Sequence, residues 1–278
     1  SPQAVGNGKI KFNTIAAATK LKKEIKSLVA KEWAGPLEKD SIPVKLVHIN
    51  SVVESAKEIN VIADFREQDL QGWKADGLAF GTCTTLGEPI FSSSSKTLKA
   101  LSSGFASSQQ FGRGIWGALR SPDFRVDKNF IGVRARGKGA SIRIVMENFQ
   151  LISYPIYGGL DQKVEDEAWQ NYVFDLSAWK GRKVYIEILP GSYIRHQYSQ
   201  KGDAYIEAEY AISYDKEWQT PLLRDVEANP SLSGAVKHWA VGKSSAKEIA
   251  FLNRELFKGK LKNDFPSAIA LKMKCDSL

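Results

Sequence analysis

The sequence predicts a mainly β protein, an antiparallel β-sandwich with flanking α-helices at both termini. From Trp116 to Tyr214, apolar and polar residues alternate in several short runs, and each run is bounded by Gly, Pro, Asn or Asp. No helical period interrupts these runs, whereas the residues near both ends of the chain do show one. Short strands at this spacing are typical of two packed antiparallel sheets.

The chain begins with a predicted helix over residues 14–33. Its apolar residues recur at spacings of three and four, so they share one face, and Gly35-Pro36 ends the helix. Residues 42–49 are predicted to be extended and close to a sheet edge, because Pro43 has no N–H group for a strand ladder. His48 is interpreted as a structural residue, because a metal site needs several converging donors.

The strands are predicted in order after this segment. Residues 61–65 form a short strand, and residues 82–108, rich in Ser, Thr and Gly, form a long surface loop. In the last strand, the alternation places Glu207 and Glu209 on the face opposite Ala204, Ile206, Ala208, Tyr210 and Ile212. The other strand-forming stretches are residues 115–122, 130–135, 140–146 and 169–189, the last of them a strand, a turn and a strand.

Helices are predicted again near the end of the chain. Ser231 caps a helix that ends near Gly242, and Ser245 and Glu248 have the spacing of a capping box. The apolar stripe behind that box is Ile249, Leu252 and Leu256. The sequence therefore predicts three segments: a helix and an extended segment over residues 1–58, a sandwich over 59–216, and a helical segment over 217–278.

Composition excludes several classes of function. The formal net charge is +8, but Lys and Arg are mixed with acids and form no block of five or six like charges, so a solvated surface is favoured over a nucleic-acid interface. No apolar run approaches the roughly eighteen residues of a membrane span. The first six residues do not have the pattern of a signal peptide. Cys83 and Cys275 are predicted to be unpaired thiols.

Five motifs share a pattern with a known group of proteins: Asp64-Phe65 and residues 70–81, 117–124, 131–137 and 175–187. Together with Ala250-Phe-Leu-Asn253 in the helical tail, they resemble a sandwich region inserted in the large secreted planctomycete cytochrome c domain-containing proteins. The resemblance implies a jelly roll of the galactose-binding-like class, in a larger exported polypeptide tied to polysaccharide use. It therefore implies a secreted or periplasmic location.

The resemblance does not extend to haem. The haem attachment motif of those proteins, Cys-x-x-Cys-His, is missing, since Cys83 precedes Thr-Thr-Leu and Cys275 precedes Asp-Ser-Leu. No haem site and no other cofactor is predicted in this chain, apart from a structural calcium ion, which jelly rolls of this kind often hold. The candidate oxygen ligands are Asp64, Asp203, Glu207 and Glu209, which lie in strands or at strand ends; the alternative is that they are solvated acids.

The first functional hypothesis is a non-catalytic carbohydrate-binding module. Sugar recognition needs aromatic faces for the apolar side of a pyranose and polar groups for its hydroxyls. Two predicted loops supply both kinds of group: Tyr154, Tyr157, Tyr193, Arg195, His196 and Tyr198. The alternative is that these aromatics cover the core or a neighbouring domain.

The second hypothesis is a structural or protein-interaction domain that packs against other parts of the same polypeptide and takes no small ligand. An enzyme is the third. The acid cluster Glu165-Asp-Glu167 suits a solvated loop better than two carboxyls facing across a glycosidic bond. The sequence contains no Gly-x-Ser-x-Gly, no His-Glu-x-x-His and no phosphate-binding loop, so it favours binding over catalysis.

Overall fold

The computed structural model describes residues 2–37, 59–67, 69–92, 94–148, 158–194, 197–216 and 231–277. Within these ranges, the side chains of residues 2–13, 37, 193, 194, 197 and 198 are not described. The chain divides into two compact units. The β unit contains Asn50–Thr85 and Gly104–Arg224, and the helical unit contains Ser1–Ile49, Leu86–Ser103 and Asp225–Leu278. The predicted extended segment at residues 42–49, with His48, lies outside the described residues.

Fifteen strands and four helices are described in these ranges. The strands are β1 (Asn60–Asp64), β2 (Lys74–Gly77), β3 (Pro89–Phe91), β4 (Leu98–Leu101), β5 (Ala106–Ser107), β6 (Gly117–Arg120), β7 (Phe124–Arg125), β8 (Phe130–Lys138), β9 (Ala140–Met146), β10 (Asp161–Val164), β11 (Gln170–Asp175), β12 (Lys183–Leu189), β13 (Ser192–Ile194), β14 (Gln197–Ser199) and β15 (Tyr205–Tyr214). The helices are α1 (Pro2–Leu37), α2 (Leu232–Ala240), α3 (Ala246–Phe257) and α4 (Pro266–Asp276). No described helix has the length and apolar character needed to cross a membrane.

The β unit is an antiparallel sandwich, as predicted. One sheet has the order β1-β15-β8-β11, with β5 also pairing β15, and the other has the order β10-β9-β12-β6-β2, with β7 also pairing β12. The pairing is antiparallel throughout. Apolar residues from both sheets form one buried core, including Ile131 and Val133 from the five-stranded sheet and Ile142, Ile144 and Ile186 from the six-stranded sheet.

A β-bulge in β15 changes the face that its residues occupy. The register of β15 against β8 shifts between Ala208 and Tyr210. Ile206 and Ala208 point into the sandwich core, but Tyr210 and Ile212 belong to a separate buried cluster with Phe130 and Tyr214. The prediction that these four apolar residues share one face is therefore wrong, because one extra residue reverses the alternation of a strand beyond it.

The helical unit brings together the two ends of the chain and a hairpin from its middle. Helix α1 contacts α2 and α4, and β3 pairs with β4. The stretch at residues 82–108 was predicted to be a loop, but its strands β3 and β4 place Leu98 and Leu101 in the core of this unit. Strands of three and four residues are too short to show a clear period, which explains the error.

Local signals predicted the C-terminal helices correctly. The side chain of Ser231 accepts a hydrogen bond from the N–H of Gly234, and Ser245 and Glu248 form the reciprocal capping box. The stripe Ile249, Leu252 and Leu256 is buried in the core of the helical unit. In that core, the rings of Trp33 and Trp239 lie 5.0 Å apart, and Trp239 Nε1 donates to the carbonyl of Gly87.

Candidate functional site

Only two of the six residues predicted to bind glycan lie among the described residues. Tyr154, Tyr157, Arg195 and His196 lie outside the described residues. The backbones of Tyr193 and Tyr198 pair directly in the hairpin of β13 and β14, but their side chains are not described. A binding site in these loops therefore stays a prediction.

The four carboxylates predicted to bind calcium each meet a basic side chain. Asp64 accepts hydrogen bonds from Arg66, Glu209 from Arg134, Glu207 from Arg136, and Asp203 from Lys138. In the described ranges, no group of three or more His, Cys, Asp or Glu side chains is placed to hold a metal ion. The structure does not bring the four together as one ligand set, and the calcium ion stays a prediction.

The outer face of the five-stranded sheet combines aromatic, basic and acidic side chains. Along β8, Ile131, Val133 and Ala135 point into the core, so the intervening Arg134 and Arg136 project outward. The strand register places Glu207 opposite Arg136, and Ser107 opposite Glu207 on the other side. We call this surface the arginine face; its members are Phe105, Ser107, Gln109, Arg134, Arg136, Trp169, Glu207 and Glu209.

Glu207 is the buried anchor of the arginine face. Its side chain is 5% exposed, and both carboxylate oxygens are used. Oε1 accepts from Gln109 Nε2 at 2.8 Å and from Ser107 Oγ at 3.3 Å, and Oε2 accepts from Arg136 Nε at 2.7 Å. A buried carboxylate needs such partners to offset the loss of water. Glu207 is therefore neither a solvated acid nor an open ligand, because its bonds hold Arg136 in place.

Trp169 is the central aromatic residue of the arginine face. It lies half-buried directly before β11, where the alternation of that strand places it on the outer side with Asn171. Its ring meets the ring of Phe105 edge-on, with centroids 5.6 Å apart. The guanidinium of Arg136 lies 4.7 Å from the Trp169 centroid and 5.7 Å from that of Phe105. Such cation–π contacts hold both partners in defined positions.

Arg134, which lies on β8 two residues before Arg136, also approaches Trp169. Its guanidinium lies 6.0 Å from the Trp169 centroid, and its Nε donates to Glu209 Oε2 at 2.8 Å. The side chains of Arg134 and Arg136 are 26% and 32% exposed. Within the described ranges, each guanidinium uses its Nε–H alone in a hydrogen bond, so the four N–H groups on its two Nη atoms can meet a ligand.

The arginine face is bounded at both ends. Arg113 covers the ring of buried Tyr205 at 4.1 Å, and its Nε donates to Gln109 Oε1. Burial raises the pKa of Tyr205, and the nearby carboxylate of Glu167 adds to this effect. At the other end of the sheet, Phe130, Tyr210, Ile212 and Tyr214 form the buried apolar cluster. The two guanidiniums and the ring of Trp169 lie between these two ends.

The six-stranded sheet carries a different set of charges on its outer face. A row of alternating sign runs across five strands: Asp161, Arg143, Glu187, Arg120 and Asp76. Burial raises the pKa of Asp161, while Arg143 opposes that rise. Arg143 and Glu187 are each 1% exposed, so the centre of this row offers no surface to a polymer. These buried charges join neighbouring strands of the sheet.

Comparisons with known proteins show fold-level likeness alone. No protein-family model and no curated protein matches the chain. A family two carbohydrate esterase from Cellvibrio japonicus is 9% identical over 59% of this chain and 36% of its own, with a TM-score of 0.28. The K3 adhesin domain of Lys-gingipain from Porphyromonas gingivalis W83 is 11% identical over 55% of this chain and 97% of its own, with a TM-score of 0.34.

A carbohydrate-binding module is also among the similar solved structures. TmCBM61, determined in complex with β-1,4-galactotriose, is 12% identical over 56% of this chain and 99% of its own, with a TM-score of 0.28. All of these TM-scores are low, and the chain spans about a third of the esterase. The likenesses therefore carry no argument about residues or ligands, which must come from the chain itself.

Proposed function

We propose that this protein is a non-catalytic carbohydrate-binding module and that a polysaccharide binds across the arginine face. The observation that carries the proposal is a half-buried tryptophan flanked by two guanidiniums on one sheet surface: Trp169, Arg134 and Arg136. The apolar side of a pyranose packs on an aromatic ring, and its hydroxyl oxygens accept hydrogen bonds from arginine N–H groups. The ring of Trp169 and the two guanidiniums lie close enough to contact the same sugar residue.

The arginine face is also held in position before any ligand binds. Strand β8 pairs on both sides, with β15 and β11, so its backbone cannot shift easily. Glu207 and Glu209 fix the two guanidiniums through Nε, and Phe105 supports the edge of Trp169. Because these side chains lose little freedom on binding, more of the contact energy appears as affinity.

The same contacts favour binding over catalysis. Glycoside hydrolysis needs one carboxyl that can donate a proton and a second that is free to act as base or nucleophile. Glu207 is engaged through both oxygens, and Glu209 is paired with Arg134. We propose that the protein acts outside the cytoplasm, secreted or periplasmic, as part of a larger polypeptide; the resemblance of its motifs to exported proteins supports this.

Substitution of Trp169 tests the proposal. Binding of the purified chain to a panel of soluble polysaccharides is measured by calorimetry, with and without calcium. We expect Trp169→Ala to weaken binding by a factor of about ten or more, because a buried aromatic anchor contributes on the order of 2 kcal/mol. The matched control is Trp116→Ala, which removes a tryptophan that is 51% exposed and precedes β6 of the other sheet.

The control substitution should leave the affinity unchanged. Equal losses in both variants, or none in Trp169→Ala, would contradict the proposed location. Loss in Tyr154→Ala or Tyr198→Ala without loss in Trp169→Ala would move the site to the predicted loops.

The alternative function is a structural or interaction domain. Among the described residues, the helical unit exposes four large apolar side chains, Ile90, Val241, Phe257 and Met273, of which Phe257 is 93% exposed. Single exposed apolar residues are common on soluble proteins, so they do not identify a partner. This alternative becomes the better explanation if no polysaccharide binds the wild-type chain.

A further inference from the structure

We infer that the ligand of the arginine face is an uncharged polysaccharide, recognised through guanidinium groups whose charge is already neutralised. This inference rests on the proposed function. It names the ligand class, and it excludes the anionic polymers that the net charge of +8 would otherwise suggest.

Each basic side chain along β8 and its neighbours is paired with an acid. The ion pairs are Arg66 with Asp64, Arg134 with Glu209, Arg136 with Glu207 and Lys138 with Asp203, at nitrogen–oxygen distances of 2.5–2.8 Å. Among the described residues, Arg113 and Lys201 are further cations near this surface. Two further acids lie near it: the carboxylate of Glu167 acts on Tyr205 and Lys138, and Glu165 Oε2 accepts from the N–H of Gly139. The charges at this surface therefore cancel.

A surface of this kind does not select for anions. Attraction of a carboxylate or sulfate depends on a cation without a counter-charge, and a guanidinium bound to a carboxylate presents a dipole instead. The net charge of the chain therefore does not produce a positive patch at this surface. Long-range attraction of an anionic polymer to the arginine face is therefore weak.

The arginine face nevertheless has an excess of hydrogen-bond donors. The carboxylate oxygens of Glu207 are occupied, whereas the Nη groups of Arg134 and Arg136 remain. Hydroxyl, ring and glycosidic oxygens of a neutral sugar are suitable acceptors for them. A polymer with ammonium groups is excluded as well, because its N–H donors would face the N–H donors of the two arginines. Neutral glycans are the class that satisfies the hydrogen bonding, the stacking on Trp169 and the charge balance together.

The experiment uses polymers that share a backbone and differ in charge. Affinities of the full chain for hydroxyethylcellulose and carboxymethylcellulose, for methyl-esterified pectin and polygalacturonate, and for galactan, glucomannan and arabinoxylan are compared at about 50 and 500 mM sodium chloride. We expect neutral polymers alone to bind, with affinity that changes less than about two-fold with salt, since screening acts on uncompensated charges.

A variant removes the neutralisation. In Glu209→Gln the charge of Arg134 is uncovered, and we expect new binding to a polyanion that is lost at high salt. The control Asp123→Asn changes the net charge by the same amount, because it removes the carboxylate that pairs with Lys183 on the six-stranded sheet. We expect this control to gain no binding to polyanions. Glu209 is preferred to the more buried Glu207 because its replacement disturbs folding less.

Two results would overturn the inference in distinguishable ways. If the wild-type chain binds polyanions better than neutral polymers, with affinity falling ten-fold or more between the two salt concentrations, the ligand class is wrong while the proposed function survives. If no polymer binds under any condition, the proposed function fails, and this inference fails with it.

Discussion

Arg136 shows how one side chain joins structure to function. Its Nε is bound by buried Glu207, and its planar group lies against both Phe105 and Trp169. The alternation of β8 predicts that Arg136 points outward, but no local signal in the sequence indicates that a carboxylate 71 residues away will hold it. The sequence alone leaves Glu207 as a possible metal ligand or a solvated acid, whereas the fold buries it and makes it the residue that positions Arg136.

Replacement of Arg136 by lysine separates geometry from charge. Lysine keeps the positive charge but lacks the planar fork and the Nε–H that binds Glu207, so it cannot reproduce the stacked arrangement. We expect Arg136→Lys to weaken polysaccharide binding by roughly ten-fold, nearly as much as Arg136→Ala. The control is Arg125→Lys, at an exposed arginine that donates to the carbonyl of Gly181. Calorimetric titration is the measurement. Full affinity in Arg136→Lys would mean that the polysaccharide needs only a positive charge at this position, and not the planar guanidinium.

At the scale of the element, the central strands of the sandwich are buried on both faces. All seven residues of β9 are buried, as are six of the seven in β12. This burial includes Arg143 and Glu187, whose Nε and Oε2 atoms lie 3.1 Å apart, and Arg120 donates to Glu187 from the next strand at 2.6 Å. Alternation predicts polar residues facing water at these positions, whereas the folded chain encloses them.

The buried pair of Arg143 and Glu187 makes a prediction about stability. Removal of one partner leaves a buried charge without its counter-charge, so Arg143→Met should lower the free energy of unfolding by about 3–5 kcal/mol. The double variant Arg143→Met/Glu187→Leu should recover much of this loss, because well-packed apolar groups can replace a buried ion pair. Urea unfolding measures both variants. Additive losses in the double variant would show that the two side chains do not depend on each other.

At the scale of the whole molecule, the chain leaves the β unit after Thr85 and returns to it at Gly104. The two ends of this excursion are adjacent, since Thr85 N–H donates to the Phe105 carbonyl at 3.1 Å and Phe105 N–H donates to Thr85 Oγ1 at 3.2 Å. The sequence predicts three consecutive segments, 1–58, 59–216 and 217–278. In the structure, one helical unit contains residues from both of the outer segments and from the excursion.

This arrangement predicts that the β unit folds without the helical unit. A shortened chain of residues 50–224, in which a brief glycine-containing turn replaces residues 86–103, keeps the whole core of the sandwich and the arginine face. We expect it to unfold in one cooperative transition and to bind polysaccharide within about two-fold of the full chain, since compact domains carry their own core. Circular dichroism and calorimetry are the measurements. If the shortened chain stays unfolded, the β unit depends on the helical unit for its stability.

The sequence by itself determined the antiparallel sandwich, the strong strands and the C-terminal helices, because the alternation of residues and the capping box at Ser245 are local features. Tertiary structure alone decided the bulge after Ala208, the place of the hairpin β3–β4 and the assembly of the arginine face. These depend on which strands become neighbours. Trp169, Arg136 and Glu207 come from three different strands or strand ends, and only the register of the sheet brings them together.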